Sequence, residues 1–363
     1  MTNNLFTHSI ELIKANQTSE GAYLASPNFE QYRYCWFRDG AYIAYAMDLV
    51  GEHDSATRFY DWAVAMIASR ASQVERAIAA SAQGKTPAPE DVLHTRYSVD
   101  GQPAGNDWPN FQLDGFGTLL WGMSQHLAHT NRMPDAAPVA WREAIVLLVR
   151  YLDALWATPC YDCWEEFGDR VHTSTLAALY GGLQAAATML TGEEGIAAWR
   201  TATLIKAFVL ENGVRGGTLD KFVSNPAVDG SLLSAATPYG LFSLDSPLMR
   251  STVERIEAEL RRDGGGVHRY AEDSYYGGGE WVLLTAYLGW YYAEAGETDK
   301  AEALLERVAE CANSEGELPE QVPQHLNYPS MLPVWEERWG KIATPLLWSH
   351  AAYLTLATHL NKR

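Results

Sequence analysis

The chain has 363 residues, 47% hydrophobic and 20% charged, enough to bury a large core as one domain or two. Its formal charge of −18 and isoelectric point near 4.9, with Lys and Arg scattered among Asp and Glu, exclude a nucleic-acid surface and favour a neutral or cationic small ligand. No segment carries the basic start and apolar core of an export signal, nor the ~18 apolar residues a spanning helix needs, so no membrane association and a cytoplasmic location are expected.

Apolar spacing near 3.6 predicts helices over 4–16, 39–51, 54–80, 113–130, 138–157, 173–191, 194–212, 230–241, 247–262, 280–295, 298–313 and 346–361. Asp54 or Ser55 and Thr298 are the expected N-caps of the helices they precede or open. Alternating Val, Ile and Thr runs that would signal a sheet are scarce. The links after the second, sixth and tenth helices are short: GEHD, TGEE and AGETD. The links after the odd-numbered helices carry the Trp, Tyr, Gly and acidic clusters, and some are long. Short links make neighbours antiparallel, so every rich link falls at the same end of the molecule. The expected fold is therefore all-α, an (α/α)6 barrel or six-hairpin toroid forming a single domain over 1–363, with an α-solenoid as the alternative. The segment AQGKTPAPEDVL, around 83–92, is the expected flexible insertion.

The first rich loop, NFEQYRYCWFRDG, alternates Tyr32, Tyr34, Trp36, Arg38 and Asp39 as an extended segment would project them to one side. An Arg-Asp pair beside rings suits a sugar, gripping hydroxyls while an aromatic face covers the apolar side; Asp39 as a simple helix cap paired with Arg38 is compatible with this. The second loop offers Trp108, Gln112 and Asp114. The third, CYDCWEEFGDR, places Asp162 two residues before Trp164, Glu165 and Glu166. The fifth, VHRYAEDSYYGGGEW, brings Arg269, Glu272, Asp273, Tyr275 and Tyr276 ahead of three glycines. No GxxxxGK[ST] or GxGxxG pattern surrounds those glycines, so close backbone approach to a ligand is expected there in place of phosphate binding. The sixth loop holds Glu315, Glu317, Glu320 and a second Trp-Glu-Glu at Trp335, Glu336 and Glu337.

No GxSxG elbow or Cys–His pair supports a nucleophile triad. Cys160-x-x-Cys163 lacks a second half-site, so neither a metal nor a redox centre is expected. What the mouth offers is carboxylates among aromatics from different hairpins, which is what glycoside hydrolysis asks for: one carboxyl protonates the leaving oxygen and another activates water or attacks. On residue types alone, either Trp-Glu-Glu copy qualifies.

Five motifs in order, YRYCWFRD, WPNFQLDG, YDCWEE, HRYAEDSYYGGGEW and LPEQV…PLLWSHA, resemble the catalytic domain of glycoside hydrolase family 15, from about Tyr32 to the C-terminus. The resemblance implies an (α/α)6 barrel whose pocket removes one glucose from a non-reducing end with inversion. It makes Glu165 the general acid, Glu320 the general base, and Tyr32 the tyrosine near the attacking water. By the same resemblance, Arg38 and Asp39 hold the terminal glucose, while Trp108, Glu166 and Arg269 line the two subsites nearest the cut. Trp36, Asp162 and Trp164 join the expected substrate-binding set. Glu165 then needs to be protonated, with Trp164 supplying desolvation, and Glu320 to stay ionised. The second Trp-Glu-Glu matches no catalytic motif, and Glu336 and Glu337 are expected at the rim or in ion pairs with Arg338 or Lys341. With no β-rich domain or starch-binding module in the sequence, the expected substrates are short soluble α-glucosides, foremost isomaltose. Glucoamylase or trehalase activity, or a silent sugar-binding toroid, are the alternatives. No cofactor, nucleic-acid partner or membrane partner is expected.

Overall fold

The computed structural model describes residues 2–105, 108–262 and 264–362. Its α-helices are α1 (Thr2–Ala15), α2 (Phe37–Leu49), α3 (His53–Ala68), α4 (Ala71–Ala82), α5 (Asp114–His129), α6 (Val139–Leu155), α7 (Thr173–Met189), α8 (Gly192–Asn212), α9 (Pro247–Leu260), α10 (Val282–Glu294), α11 (Thr298–Glu310), α12 (Leu332–Trp339) and α13 (Leu347–His359). An inner ring runs α2, α5, α7, a 3₁₀ helix at Gly230–Ala235, α10, α13 and back to α2. The outer layer is α1, α3, α6, α8, α9 and α11. This is the all-α (α/α)6 toroid that counting hairpins predicts.

Burial explains which helices are inner. Val282–Tyr292 of α10 and Leu347–Ala357 of α13 are buried on every side, as expected of a helix that is apolar all round. Outer helices such as α11 bury only one stripe, Ala301, Leu304, Leu305 and Val308. Where α5 and α7 cross, glycine is required: a Cβ on Gly182 would run into the Gly117 carbonyl oxygen, and one on Gly117 into the Ala178 carbonyl oxygen.

Three expectations change. The 54–80 helix breaks at Ser69 and Arg70, where Arg70 leaves helical geometry (φ −114°, ψ 15°) and its guanidinium binds the Met66 and Gly101 carbonyls. The 230–241 helix shrinks to Gly230–Ala235, begun by the Asp229 side chain accepting the Ser231 N–H and followed closely by Thr237-Pro238, which cannot continue a helix. Helix α12 appears inside the sixth loop, where no helix is expected. The expected caps also differ: α3 starts at His53 and α11 at Thr298 itself, neither with a side-chain cap.

The odd-to-even loops gather at one end and are stitched in pairs. Strand β1 (Cys35–Trp36) pairs with β2 (Arg96–Tyr97), joining the first loop to the second. Strands β3 (Val214–Arg215) and β4 (Thr218–Leu219) close the fourth on itself. Strand β5 (Glu280–Trp281) pairs with β6 (Gln321–Val322), joining the fifth to the sixth. No helix among the described residues is long and apolar enough to cross a membrane. Gly182→Ala is expected to lower unfolding stability by about 1–3 kcal/mol through overpacking at the α5–α7 crossing. Urea denaturation measures it, and an unchanged midpoint would show that the crossing is not tight.

Candidate active site

The stitched loops surround a cavity of about 370 Å³, within the size range of small-molecule sites. Its deep residues are Arg38 and Asp39 at the start of α2, Glu320, and Trp348 at the start of α13, all at most 7% exposed. Its outer wall is Trp335, Arg338 and Trp339 of α12, which are half-buried or exposed. Arg38 donates through Nη1 to Gln112 Oε1 and Asp114 Oδ2, each at 2.9 Å, and its Nε lies 3.6 Å from Asp39 Oδ2. Burial pushes the Asp39 carboxyl up to about 7 against the pull of Arg38. Arg38 Nε and Asp39 Oδ2 have no hydrogen-bond partner among the described residues, so a donor and an acceptor stand side by side at the deep end for hydroxyl groups.

The loop bearing Glu165 is a tight turn held by its own backbone and by Asp162. Glu165 N–H donates to the Asp162 carbonyl at 2.9 Å, and Asp162 Oδ1 accepts the N–H groups of Trp164 (3.0 Å) and Glu166 (2.9 Å). Glu165 itself adopts φ +67°, an uncommon conformation for a side-chain-bearing residue. That flip brings Glu165 Oε1 to Trp36 Nε1 (2.7 Å) and Gln112 Nε2 (3.0 Å), leaving Oε2 without a hydrogen bond among the described residues. Underneath, buried Lys221 pairs with Asp229 at 3.0 Å and lies 3.0 Å from the Tyr270 ring centre. Asp229 in turn accepts Trp164 Nε1 at 3.0 Å, so one buried cation braces the loop from behind.

Glu320 sits on the other side. Its N–H donates to the Ala343 carbonyl, its carbonyl accepts Val282 N–H, and the preceding Leu318 N–H donates to His350 Nε2. Tyr32 O–H donates to Glu320 Oε1 at 3.0 Å, and Tyr275 lies 3.0 Å from the Tyr32 hydroxyl. Oε2 has no partner among the described residues. Burial pushes Glu320 up to about 8, opposed by the Tyr32 hydrogen bond and the Arg269 charge. Desolvation is the larger effect, and the Tyr32 hydrogen bond and the Arg269 charge are the groups that favour the anion the base role asks for.

Tyr32, Trp36, Arg38, Asp39, Trp108, Trp164, Glu165, Glu166, Arg269 and Glu320 all line the cavity. Asp162 does not: expected to bind substrate, it is 2% exposed and spends its carboxylate on backbone N–H groups. Trp164 is not the partner of Glu165; its ring packs on Trp281, 5.1 Å between centres, and Trp36 takes that place. Tyr34 leaves the wall to lie under Arg96, whose guanidinium is 4.3 Å from it and 3.6 Å from the Trp108 ring centre. Glu166 accepts from Tyr270 O–H (2.5 Å) and Arg269 Nη2 (3.4 Å), and Arg269 is anchored by Asp273. The glycines 277–279 admit chain, not ligand: Tyr328 and Asn327 N–H groups bind the Gly277 and Gly278 carbonyls. Glu336 and Glu337 are exposed and make no ion pair with Arg338 or Lys341 among the described residues. Arg96, Lys221, Asp229 and Trp348 escaped sequence reading. Only Trp348, inside PLLWSHA, carried a signal, since the others lie outside the carboxylate–aromatic clusters.

A family profile described as "Glycosyl hydrolases family 15" matches residues 2–358. The chain is 42% identical to an isomaltose glucohydrolase of Kribbella flavida over 98% of its own length and 92% of that protein. It is 23% identical to trehalase 2 of Sulfolobus acidocaldarius, covering 54% of that protein. A solved structure titled "Glycosidase Wild Type" superposes with a TM-score of 0.95 at 40% identity, covering 99% of this chain and 97% of the other. A bacterial glucoamylase complexed with acarbose shares the fold at TM-score 0.73 and 21% identity, with 56% of that chain covered.

Asp39 at about 7, Asp162 at about 8 and Glu320 at about 8 all lie above their ordinary values. The folded chain therefore holds protons that the unfolded chain releases, and each raised carboxyl costs stability progressively as pH climbs from its ordinary value towards its folded one. Glu320→Gln is expected to melt above the parent chain at pH 8, with the gap closing near pH 4; calorimetry giving the same gap at both pH values would contradict this. Lys221→Met strands Asp229 without its cation, and a loss of about 3–5 kcal/mol in urea unfolding is expected.

Proposed function

The chain belongs to glycosyl hydrolases family 15, and from that premise we propose that it is an inverting exo-α-glucosidase releasing β-glucose from the non-reducing end of isomaltose and other short α-1,6-linked glucosides. The observation that carries this reading is the position of Glu165 and Glu320. They come from the third and sixth of six loops, opposite one another in ring order, and line one cavity. Two carboxyls from opposite loops on one cavity are the pair that glycoside hydrolysis asks for, and membership of the family favours inversion.

In this mechanism Glu165 Oε2 gives its proton to the glycosidic oxygen as the bond to C1 breaks. Glu320 takes a proton from the water that attacks C1 from the opposite face, which yields the β anomer. Tyr32 holds Glu320 Oε1 and leaves Oε2 for the water. A base acts only when ionised, and Tyr32 and Arg269 are the groups that favour the anion against burial. Arg38 and Asp39 grip hydroxyls of the terminal glucose by charge-assisted hydrogen bonds, with Trp36 and Trp348 beside it. Glu166 and Arg269 hold hydroxyls on either side of the cut, and Trp108 lines the neighbouring wall.

A neutral sugar suits a pocket whose deep arginines, Arg38 and Arg269, are already matched by Asp39, Asp114, Asp273 and Glu166. The α-1,6 preference rests on the 42% identity to an isomaltose glucohydrolase across nearly the whole chain. Acid, base and water complete the reaction, so the mechanism calls for no cofactor. We take residues 1–363 as one catalytic unit, because loops from around the ring build the pocket. Four unpaired cysteines suit a reducing cytoplasm.

Proton NMR of the anomeric signals with isomaltose, maltose and trehalose tests the reading. β-Glucose is expected first, and fastest from isomaltose; α-glucose first would overturn inversion and the role of Glu320. Glu165→Gln and Glu320→Gln are each expected to lower turnover by orders of magnitude, about 10²-fold or more, while retaining the fold.

A further inference from the structure

The second Trp-Glu-Glu remains without a role in that chemistry, yet its helix lines the same cavity. Helix α12 buries none of its residues. At one end, Trp335 donates through Nε1 to the Ser274 carbonyl at 3.0 Å and stacks on Tyr276, 6.2 Å between ring centres at 29°. One turn on, Trp339 stacks on Trp108 at 6.1 Å and 25° and meets the edge of Phe29 at 6.5 Å. Tyr276 O–H caps the helix end by donating to the Gly340 carbonyl at 2.8 Å. Tyr276 belongs to the fifth loop and Trp108 to the second, which stand opposite in ring order, so α12 bridges the cavity mouth. Its inward face is Trp335, Arg338 and Trp339, all lining the cavity, with the Arg338 guanidinium 5.1 and 5.0 Å from the two ring centres. Glu336 and Glu337 are exposed and absent from that wall.

We propose that this face of α12 is the specificity-determining surface for the leaving group: it binds the pyranose on the departing side of the cut. The inference rests on the glucosidase reading above and names which part of the chain recognises the second sugar. The depth of the residues argues for it. Arg38, Asp39 and Glu320 form the deep end, so a glucose held there directs its anomeric bond outward, and α12 is what the next ring meets. Two indoles in the cavity wall suit the apolar C–H surface of a neutral pyranose. Arg338 supplies N–H donors for its hydroxyls, held by the rings in place of a carboxylate. The acidic pair on the outer side keeps the helix hydrated and takes no part.

The test compares isomaltose with α-glucosyl fluoride, whose leaving group is too small to reach α12. In Trp339→Ala and Arg338→Ala, kcat/KM for isomaltose is expected to fall about tenfold or more relative to that for the fluoride, chiefly through KM. Arg338 is exposed, so its removal leaves folding intact, and Glu336→Gln is the control expected to match the parent chain on both substrates. Equal losses on the two substrates would make α12 a structural strap and overturn the proposal, as would no loss on either. A parent chain that leaves isomaltose uncut would overturn the glucosidase reading and this proposal together, which separates the two failures.

Discussion

The structure depends on one constraint: the centre of a closed ring of helices is desolvated, so charged side chains are carried only where those helices begin and end. In α2 every residue from Phe37 to Asp48 is buried, and its ionisable acids and bases are Arg38 and Asp39 in the first turn and Asp48 in the last. At the far end Asp48 is matched by His126 at 2.9 Å and His53 at 2.8 Å. At the near end the same desolvation acts on groups deliberately left short of partners. The pocket is therefore placed by the ring itself, and its chemistry is confined to the loops that precede the inner helices.

Burying charge in such a place requires each cation to be answered. Arg38 is matched by Asp39 and Asp114, Lys221 by Asp229, and Arg269 by Asp273 and Glu166. These pairs add little net stability over an apolar equivalent, because desolvation offsets their attraction. What they provide is geometry. Gln112 joins Arg38 to Glu165, Asp229 joins Lys221 to Trp164, and Tyr32 joins Tyr275 to Glu320. The reacting carboxyls are thus set in position before a substrate arrives, which is how fixed dipoles and charges act most strongly in catalysis.

The hairpin count and the gathering of the rich loops at one end were legible in the sequence because they follow from apolar periodicity and short links, which burial enforces over many residues. The Arg70 break was not, because Ala71–Ala82 continues the helical pattern and only the long-range hold of Arg70 on Gly101 stops it. The fourth inner element looked helical up to 241, but Pro238 allowed only Gly230–Ala235. Helix α12 was hidden by the prolines around it, one of which, Pro333, sits in its first turn, where no N–H partner is lost. In the site, ordered motifs located the residues but not their partners. Glu165 turns away from its neighbour Trp164 because of a left-handed backbone that no residue type announces, and the binding role expected of Asp162 was really the folding of that turn.

The attachment of α12 has an evolutionary consequence. The helix contributes no buried residue to the core and is held by a few stacking contacts and hydrogen bonds. Substitutions on it draw little on the stability that keeps the ring folded, whereas substitutions at the start of α2 or in the Glu165 turn disturb paired charges in a dry interior. Selection can therefore explore new second sugars along α12 while the hydrolytic machinery stays unchanged, so descendants of this toroid are free to diverge in diet faster than in chemistry.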